Sequence, residues 1–133
     1  MHKGFLKTAS LLAALSVAMG AFAAHGLKDV ISSRAVAIFE TGVRYQFYHV
    51  FALFIVGILY HNFSSKFIVM SGWMFLVGIL LFSGSLYALT AVEGMVQPGY
   101  KWIFAVTPIG GLAFILGWIF LFLGLFKPIS TVQ

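Results

Sequence analysis

Six side chains able to carry protons, pair charges or bind ligands gather in an otherwise apolar chain: His25, Glu40, Arg44, Tyr45, Gln46 and His49. Glu40 and Arg44 are four apart, so on a helix they are neighbours and can form an ion pair. At a wet interface such a pair contributes about 0–1 kcal/mol. Enclosed in a bundle it would lock the packing, and removing one partner would cost roughly 3–5 kcal/mol. Tyr45 and Gln46 precede His49 by four and three residues, so both can approach its face. Glu40 is half a turn round the helix from His49, which makes the segment polar on two sides. A membrane helix of that kind is expected to be surrounded by protein. Two imidazoles from two helices could ligate a metal or haem. The plainer reading is that each hydrogen-bonds a carbonyl or hydroxyl, and neither metal nor cofactor is expected. Ser83, Ser85 and Thr107 are further polar candidates, and Ser83 and Tyr87, four apart on the third span, can hydrogen-bond across a helix interface. A serine nucleophile needs a base and an orienting acid in register. The sequence fixes neither, so no catalytic residue is assigned.

The rest of the chain determines where these residues must sit. Of 133 residues, 62% are hydrophobic and 8% charged, and the mean hydropathy is +1.06. A soluble domain would lack the polar surface to cover such a core. Apolar runs at residues 5–25, 43–61, 67–90 and 102–126 are each near the roughly 20 residues a helix needs to cross a bilayer. They are continuous rather than alternating, which excludes a barrel. The expected fold is an all-α membrane protein: a four-transmembrane-helix bundle forming one domain over residues 1–133. Val36, Phe39 and Val43 share a face, so Ser33–Arg44 is an amphipathic helical segment before the second span. It either lies in the interface or continues that span. Ser32 or Ser33 can cap it.

Small residues mark the packing faces. Ser16, Gly20 and Ala24 recur every four residues on the first span. Gly84 lies between two serines on the third. The fourth opens with Thr107-Pro108-Ile109-Gly110-Gly111, and Ala113 and Gly117 follow at the same small-x3-small spacing. Pro108 lies past the first turn and removes a backbone hydrogen bond. Asn62, Ser64 and Ser65 make a short turn that places spans two and three antiparallel. Gly94, Pro98 and Gly99 read as a loop, and Tyr100 and Trp102 fit an interfacial belt.

The net charge of +5 comes from cations that mostly flank the spans. They anchor helices rather than form a nucleic-acid surface. Lys3, Lys7, Lys66 and Lys127 fall on one side, Lys28, Arg34, Arg44 and Lys101 on the other. The first helix usually dominates topology and is preceded by two lysines; with Arg44 counted less, as a residue paired inside the protein, this favours both termini in the cytoplasm. Lys3, Lys7 and the Ala21-Phe22-Ala23 tract also resemble a signal peptide. The 17 uncharged residues from Thr8 to Ala24 are long enough to span, and we read them as a retained helix. The chain has no cysteine, which excludes disulfides and thiolate chemistry.

Four separated segments carry a resemblance: Gly20-Ala21-Phe22-Ala23-Ala24-His25-Gly26, Glu40 through His49, Leu81 through Tyr87, and Thr107 through Gly111. Together they resemble the transmembrane protein 256-like family, also called domain of unknown function 423. Ala23 stands where the family often has glycine. The resemblance implies a small multi-pass membrane protein and supports retention of the first span. It brings no activity. From the residues we expect a non-enzymatic role in binding a partner or lipid, or in assembly, with the bilayer and a second copy or another membrane protein as partners. The alternative is a small oligomeric transporter or channel in which His49 or Glu40 carries a proton. A lipid-modifying enzyme ranks third. In every case the polar residues are expected to form one cluster around His49 and Glu40, closed by Ser83, Ser85 and Thr107.

Overall fold

A computed structural model describes residues 1–92 and 101–126 of the chain. The expected loop at Gly94, Pro98, Gly99 and Tyr100, and the flanking Lys127, lie outside the described residues. Four long helices follow one another: α1 (Lys3–Leu27), α2 (Ser33–Leu59), α3 (Lys66–Val92) and α4 (Lys101–Leu125). Each is long and apolar enough to cross a membrane. No strand occurs among the described residues.

Local chemistry sets the helix ends. Ser32 accepts a hydrogen bond from Ala35 N and caps α2. Ser65 caps α3 through Ile68 N, so the short turn after Leu59 is closed at both sides by its own backbone. His2 caps α1 with Nδ1 and ties it to α2 by donating its backbone N–H to Gly57 O at 2.8 Å. The segment from Ser33 does not lie apart from the second span. It is the first part of α2, which runs unbroken for 27 residues. Helices α1 and α3 each contain one π turn, at Ala23–Leu27 and Ile79–Ser83.

α1 packs on α2, α2 on α3, and α4 chiefly on α3. The core is built by seating large side chains over glycines. A side chain on Gly117 would lie 2.6 Å from the Phe75 ring, one on Gly72 would meet Phe5, and one on Gly57 would lie 2.7 Å from Leu6. Without those notches the helices could not approach closely, and close packing is the main attraction between helices in lipid. Phe75, Leu53, Ile68, Val50 and Val56 are completely enclosed. Leu11, Leu80, Phe104, Ile109 and Phe122 point outward, as lipid contact permits.

Two expected packing positions shift. Ser16 is buried and Gly20 faces Val43 Cγ1, but Ala24 is exposed and Ala23 is buried instead. At about 100° per residue, Ala23 lies roughly 20° from Ser16 round the helix and Ala24 roughly 80°. The stripe therefore continues with a step of three. Gly84 has no neighbour within 4 Å of where a side chain would start. The close approach of α3 to α4 falls instead at Gly110, which sits against the backbone of Phe82 in the π turn. Ala113 and Gly117 are buried, and Gly111 is half-buried with Phe82 at ordinary contact distance.

Candidate functional site

Near the middle of α2 the chain turns Gly42, Gln46 and His49 inward. Gln46 joins three helices. Its Nε2 donates to Leu12 O of α1 at 3.1 Å, and its Oε1 accepts from Tyr87 OH of α3 at 2.8 Å. Ser83 Oγ donates to Gly42 O at 2.7 Å. Gly42 makes this possible, because a Cβ there would lie 2.8 Å from the Tyr87 ring. Ser85 Oγ lies 2.6 Å from Thr107 Oγ1 and also donates to Phe82 O, which pins α4 to α3. Inside a bilayer no water can satisfy these groups, so protein partners must.

His49 forms a second arrangement. Its Nδ1 lies 2.8 Å from Tyr45 O, and its Nε2 lies 3.3 Å from Trp118 Nε1. A carbonyl can only accept and an indole N–H only donate, so the proton belongs on Nδ1 and the lone pair on Nε2. The imidazole also stacks on Phe114 with centroids 3.4 Å apart and planes 5° from parallel. Beside it lies a crevice of about 600 Å³ lined by Tyr45 and His49 of α2, Phe82 of α3, and Leu112, Phe114, Ile115 and Trp118 of α4 among others. Gly111 and Pro108 complete its α4 wall. Tyr45, Leu112, Ile115 and Trp118 are exposed, so the crevice opens on the side of the bundle. All of its residues lie near the middles of their helices.

The single cluster expected from the sequence does not form. Gln46, Ser83 and Tyr87 come together, His49 and Tyr45 line the crevice, and Ser85 pairs with Thr107. His25, Glu40 and Arg44 remain outside, all exposed. His25 lies in the terminal turn of α1. Phe22 packs on Phe39 and Gly20 on Val43, which puts His25 beside the first turns of α2. At 1.5 Å per residue, that is roughly 20 Å along the axis from His49. The expected enclosure of Glu40 and Arg44 also fails. Arg44 is two residues from Gln46 and so about 160° from it round the helix. With Gln46 turned inward, Arg44 must face out. No ion pair joins it to Glu40, nor any two charged groups among the described residues. No three histidine or acidic side chains converge as a metal cage among the described residues. Ser83 is fully buried, and its hydroxyl donates to the Gly42 carbonyl. Sequence reasoning missed Phe114 and Trp118. A tryptophan at mid-span, far from the interfacial belts, was the available signal for the last.

The four apolar helices and their internal polar bonds define a multi-pass membrane protein. The chain belongs to a family described as "Protein of unknown function (DUF423)", whose model matches residues 19–111. That stretch contains all four resembling segments. A UPF0382 membrane protein of Haemophilus influenzae is 41% identical over 130 residues, covering 98% of this chain and 99% of that protein. UPF0382 membrane protein YwdK of Bacillus subtilis is 39% identical over 118 residues, covering 88% and 91%. A UPF0382 membrane protein of Staphylococcus aureus is 39% identical over 125 residues, covering 94% and 97%. No solved structure gives a match.

Proposed function

We propose that this is a non-enzymatic binding protein of the cell membrane, with both termini in the cytoplasm, whose lateral crevice takes up a neutral lipid-borne molecule. The crevice itself carries the reading. It opens at mid-depth of the helices, where only hydrocarbon-soluble molecules arrive. Its lining has no charged side chain, so an anionic headgroup has no counter-ion there. Its walls are largely aromatic, and the Tyr45 hydroxyl has no hydrogen-bond partner among the described residues. A phenol in hydrocarbon is costly without a hydrogen bond. The best fit is therefore a mostly apolar molecule with one polar acceptor. The transport alternative draws less support from His49, because both of its ring nitrogens are engaged.

Native mass spectrometry of the protein released from its own membranes tests this. The wild type should retain one neutral lipid per chain. Gly111→Phe should fill the crevice and lose that lipid, since Gly111 has room for a side chain beside Phe82. Lipid-free wild type, or equal retention by the variant, would refute the reading. Saturable ion flux in proteoliposomes would favour the transporter.

A further inference from the structure

Three side chains lining the crevice can donate a hydrogen bond: Tyr45, His49 and Trp118. Two are committed, His49 Nδ1 to Tyr45 O and Trp118 Nε1 to His49 Nε2. The Tyr45 hydroxyl is therefore the one free donor of the lining. Its residue is next to Gln46, the midpoint of α2 (Ser33–Leu59), and so about 1.5 Å from it along the axis. That level is well inside the roughly 15 Å half-thickness of a hydrocarbon core. Phospholipids and diacylglycerols keep their polar groups at the interface, so only their chains reach Tyr45. An acceptor that arrives at this depth belongs to a neutral head group that is itself soluble in hydrocarbon.

The walls add a shape and an electronic preference. The His49 imidazole lies 5° from parallel to the Phe114 ring, and the Tyr45 ring lies 23° and 27° from those two planes. Phe82 is tilted 33° to Tyr45, and Trp118 is tilted 59° to His49. Three nearly parallel rings favour a flat guest. The faces of phenol, phenyl and indole are electron-rich, so they attract an electron-poor ring. A quinone ring is flat and is drained of electrons by its two carbonyls, each of which only accepts hydrogen bonds.

The backbone of both facing helices is shaped around the same space. Phe82 belongs to the π turn of α3 at Ile79–Ser83, and such turns are frequent at functional sites. On α4, Gly110 has to be glycine because it sits against the Phe82 backbone, but a Cβ on Gly111 would lie 3.8 Å from the Phe82 ring, an ordinary contact. Packing does not require Gly111 to lack a side chain, and a glycine inside a helix weakens it. Its bare backbone leaves room in the crevice. The α4 wall from Pro108 to Trp118 runs roughly 15 Å along the axis. The volume of about 600 Å³ matches small-molecule pockets, which span roughly 300–1,000 Å³. A quinone head and the first part of its tail fit that space.

We infer, resting on the reading of the crevice as a lipid site, that its ligand is an isoprenoid quinone, with its ring against the aromatic wall and one carbonyl accepting from the Tyr45 hydroxyl. Neither carbonyl finds a donor in the bilayer interior, so the bond to Tyr45 is gained on binding.

The full chain carrying Trp73→Phe and Trp102→Phe keeps Trp118 as its single indole. In nanodiscs of phosphatidylcholine, a benzoquinone with a short prenyl tail should quench Trp118 emission saturably. Tyr45→Phe retains the ring and removes only the hydroxyl, so it should weaken binding roughly three- to tenfold. A benzene ring with the same tail and no carbonyl should compete weakly, and equally so with or without that hydroxyl. Diacylglycerol should not compete. Quenching that never saturates, equal binding by Tyr45→Phe, or displacement by diacylglycerol would overturn the inference. The lipid that wild type retains from its own membranes should have the mass and ultraviolet absorbance of a quinone. A retained neutral lipid of another class would leave the crevice reading standing and remove the quinone, whereas a lipid-free wild type would remove both.

Discussion

Replacing Gln46 with leucine removes the one side chain that bonds to both neighbouring helices while nearly conserving its volume. Two hydrogen bonds disappear. Leu12 O keeps its other side-chain donor, Ser16 Oγ at 2.8 Å, so little is lost on α1. Tyr87 OH keeps nothing, because Gln46 is its acceptor. A hydrogen bond between membrane helices is worth about 0.6 kcal/mol on average and about 1.7 at most. A stranded buried hydroxyl costs about 1–3 kcal/mol. Gln46→Leu should therefore destabilise the bundle by about 1–3 kcal/mol. Tyr87→Phe keeps the ring over Gly42 and strands the amide oxygen instead, at a similar cost. The double variant leaves neither group stranded by the other, so it should be more stable than the sum of the singles by about 0.6–1.7 kcal/mol. Reversible unfolding in mixed micelles of a mild detergent and dodecyl sulfate, followed by helical circular dichroism, gives all three values. If the two losses add within about 0.3–0.5 kcal/mol, the Gln46–Tyr87 bond does not join α2 to α3 and the account of the polar core is wrong.

Two glycines on the α3–α4 pair should behave oppositely. Gly110→Ala drives a methyl into the backbone of Phe82 and should cost about 1–3 kcal/mol or more, as overpacking does. Gly84→Ala meets nothing within 4 Å and should be neutral or stabilising by up to about 1 kcal/mol; equal losses in the same unfolding assay would refute the placement of the contact. His49→Phe keeps a ring against Phe114 but removes the acceptor of Trp118. In a Trp73→Phe/Trp102→Phe background, Trp118 emission should shift to the blue as the indole N–H loses its partner, and an unchanged spectrum would show that the His49–Trp118 bond does not form.

The spans were legible because their signal is cumulative. Some twenty apolar residues in helix match the hydrocarbon thickness whatever packs around them, and four such runs leave few alternatives. The hydrogen-bonding role of span three was also readable, since Ser83 and Tyr87 are one turn apart and do bond across to α2. Which face of α2 turns inward was not. Its sequence is polar on two sides, with Glu40 and Arg44 on one and Gln46 and His49 on another, and helix periodicity weighs them alike. Packing makes the choice through Gly42. Without a side chain there, the Tyr87 ring can lie against α2, reach Gln46, and fix the rotation of the helix. The glycine between the two polar sets was visible, but its meaning depended on a tyrosine 45 residues away in sequence. Ala24 and Gly84 failed for a simpler reason: a small residue permits a close approach without supplying the neighbour.

That choice divides the polar residues by charge. The inward positions went to an amide, an imidazole, hydroxyls and a phenol, which meet their bonding needs among themselves and with backbone carbonyls. The outward positions on the same helix kept the acid and the guanidinium. For a lone bundle in lipid this is the costly order, because desolvating a charge is worse than desolvating an amide. The fold does not draw on the charges, since α2 is held through Ala35, Phe39, Gly42, Gln46, His49 and Gly57. The two charges stand on the outer face of the helix, where the internal bonds of the bundle do not reach them. The crevice lined by α2, α3 and α4 likewise faces outward. Both features open on the outside of the bundle rather than into its core.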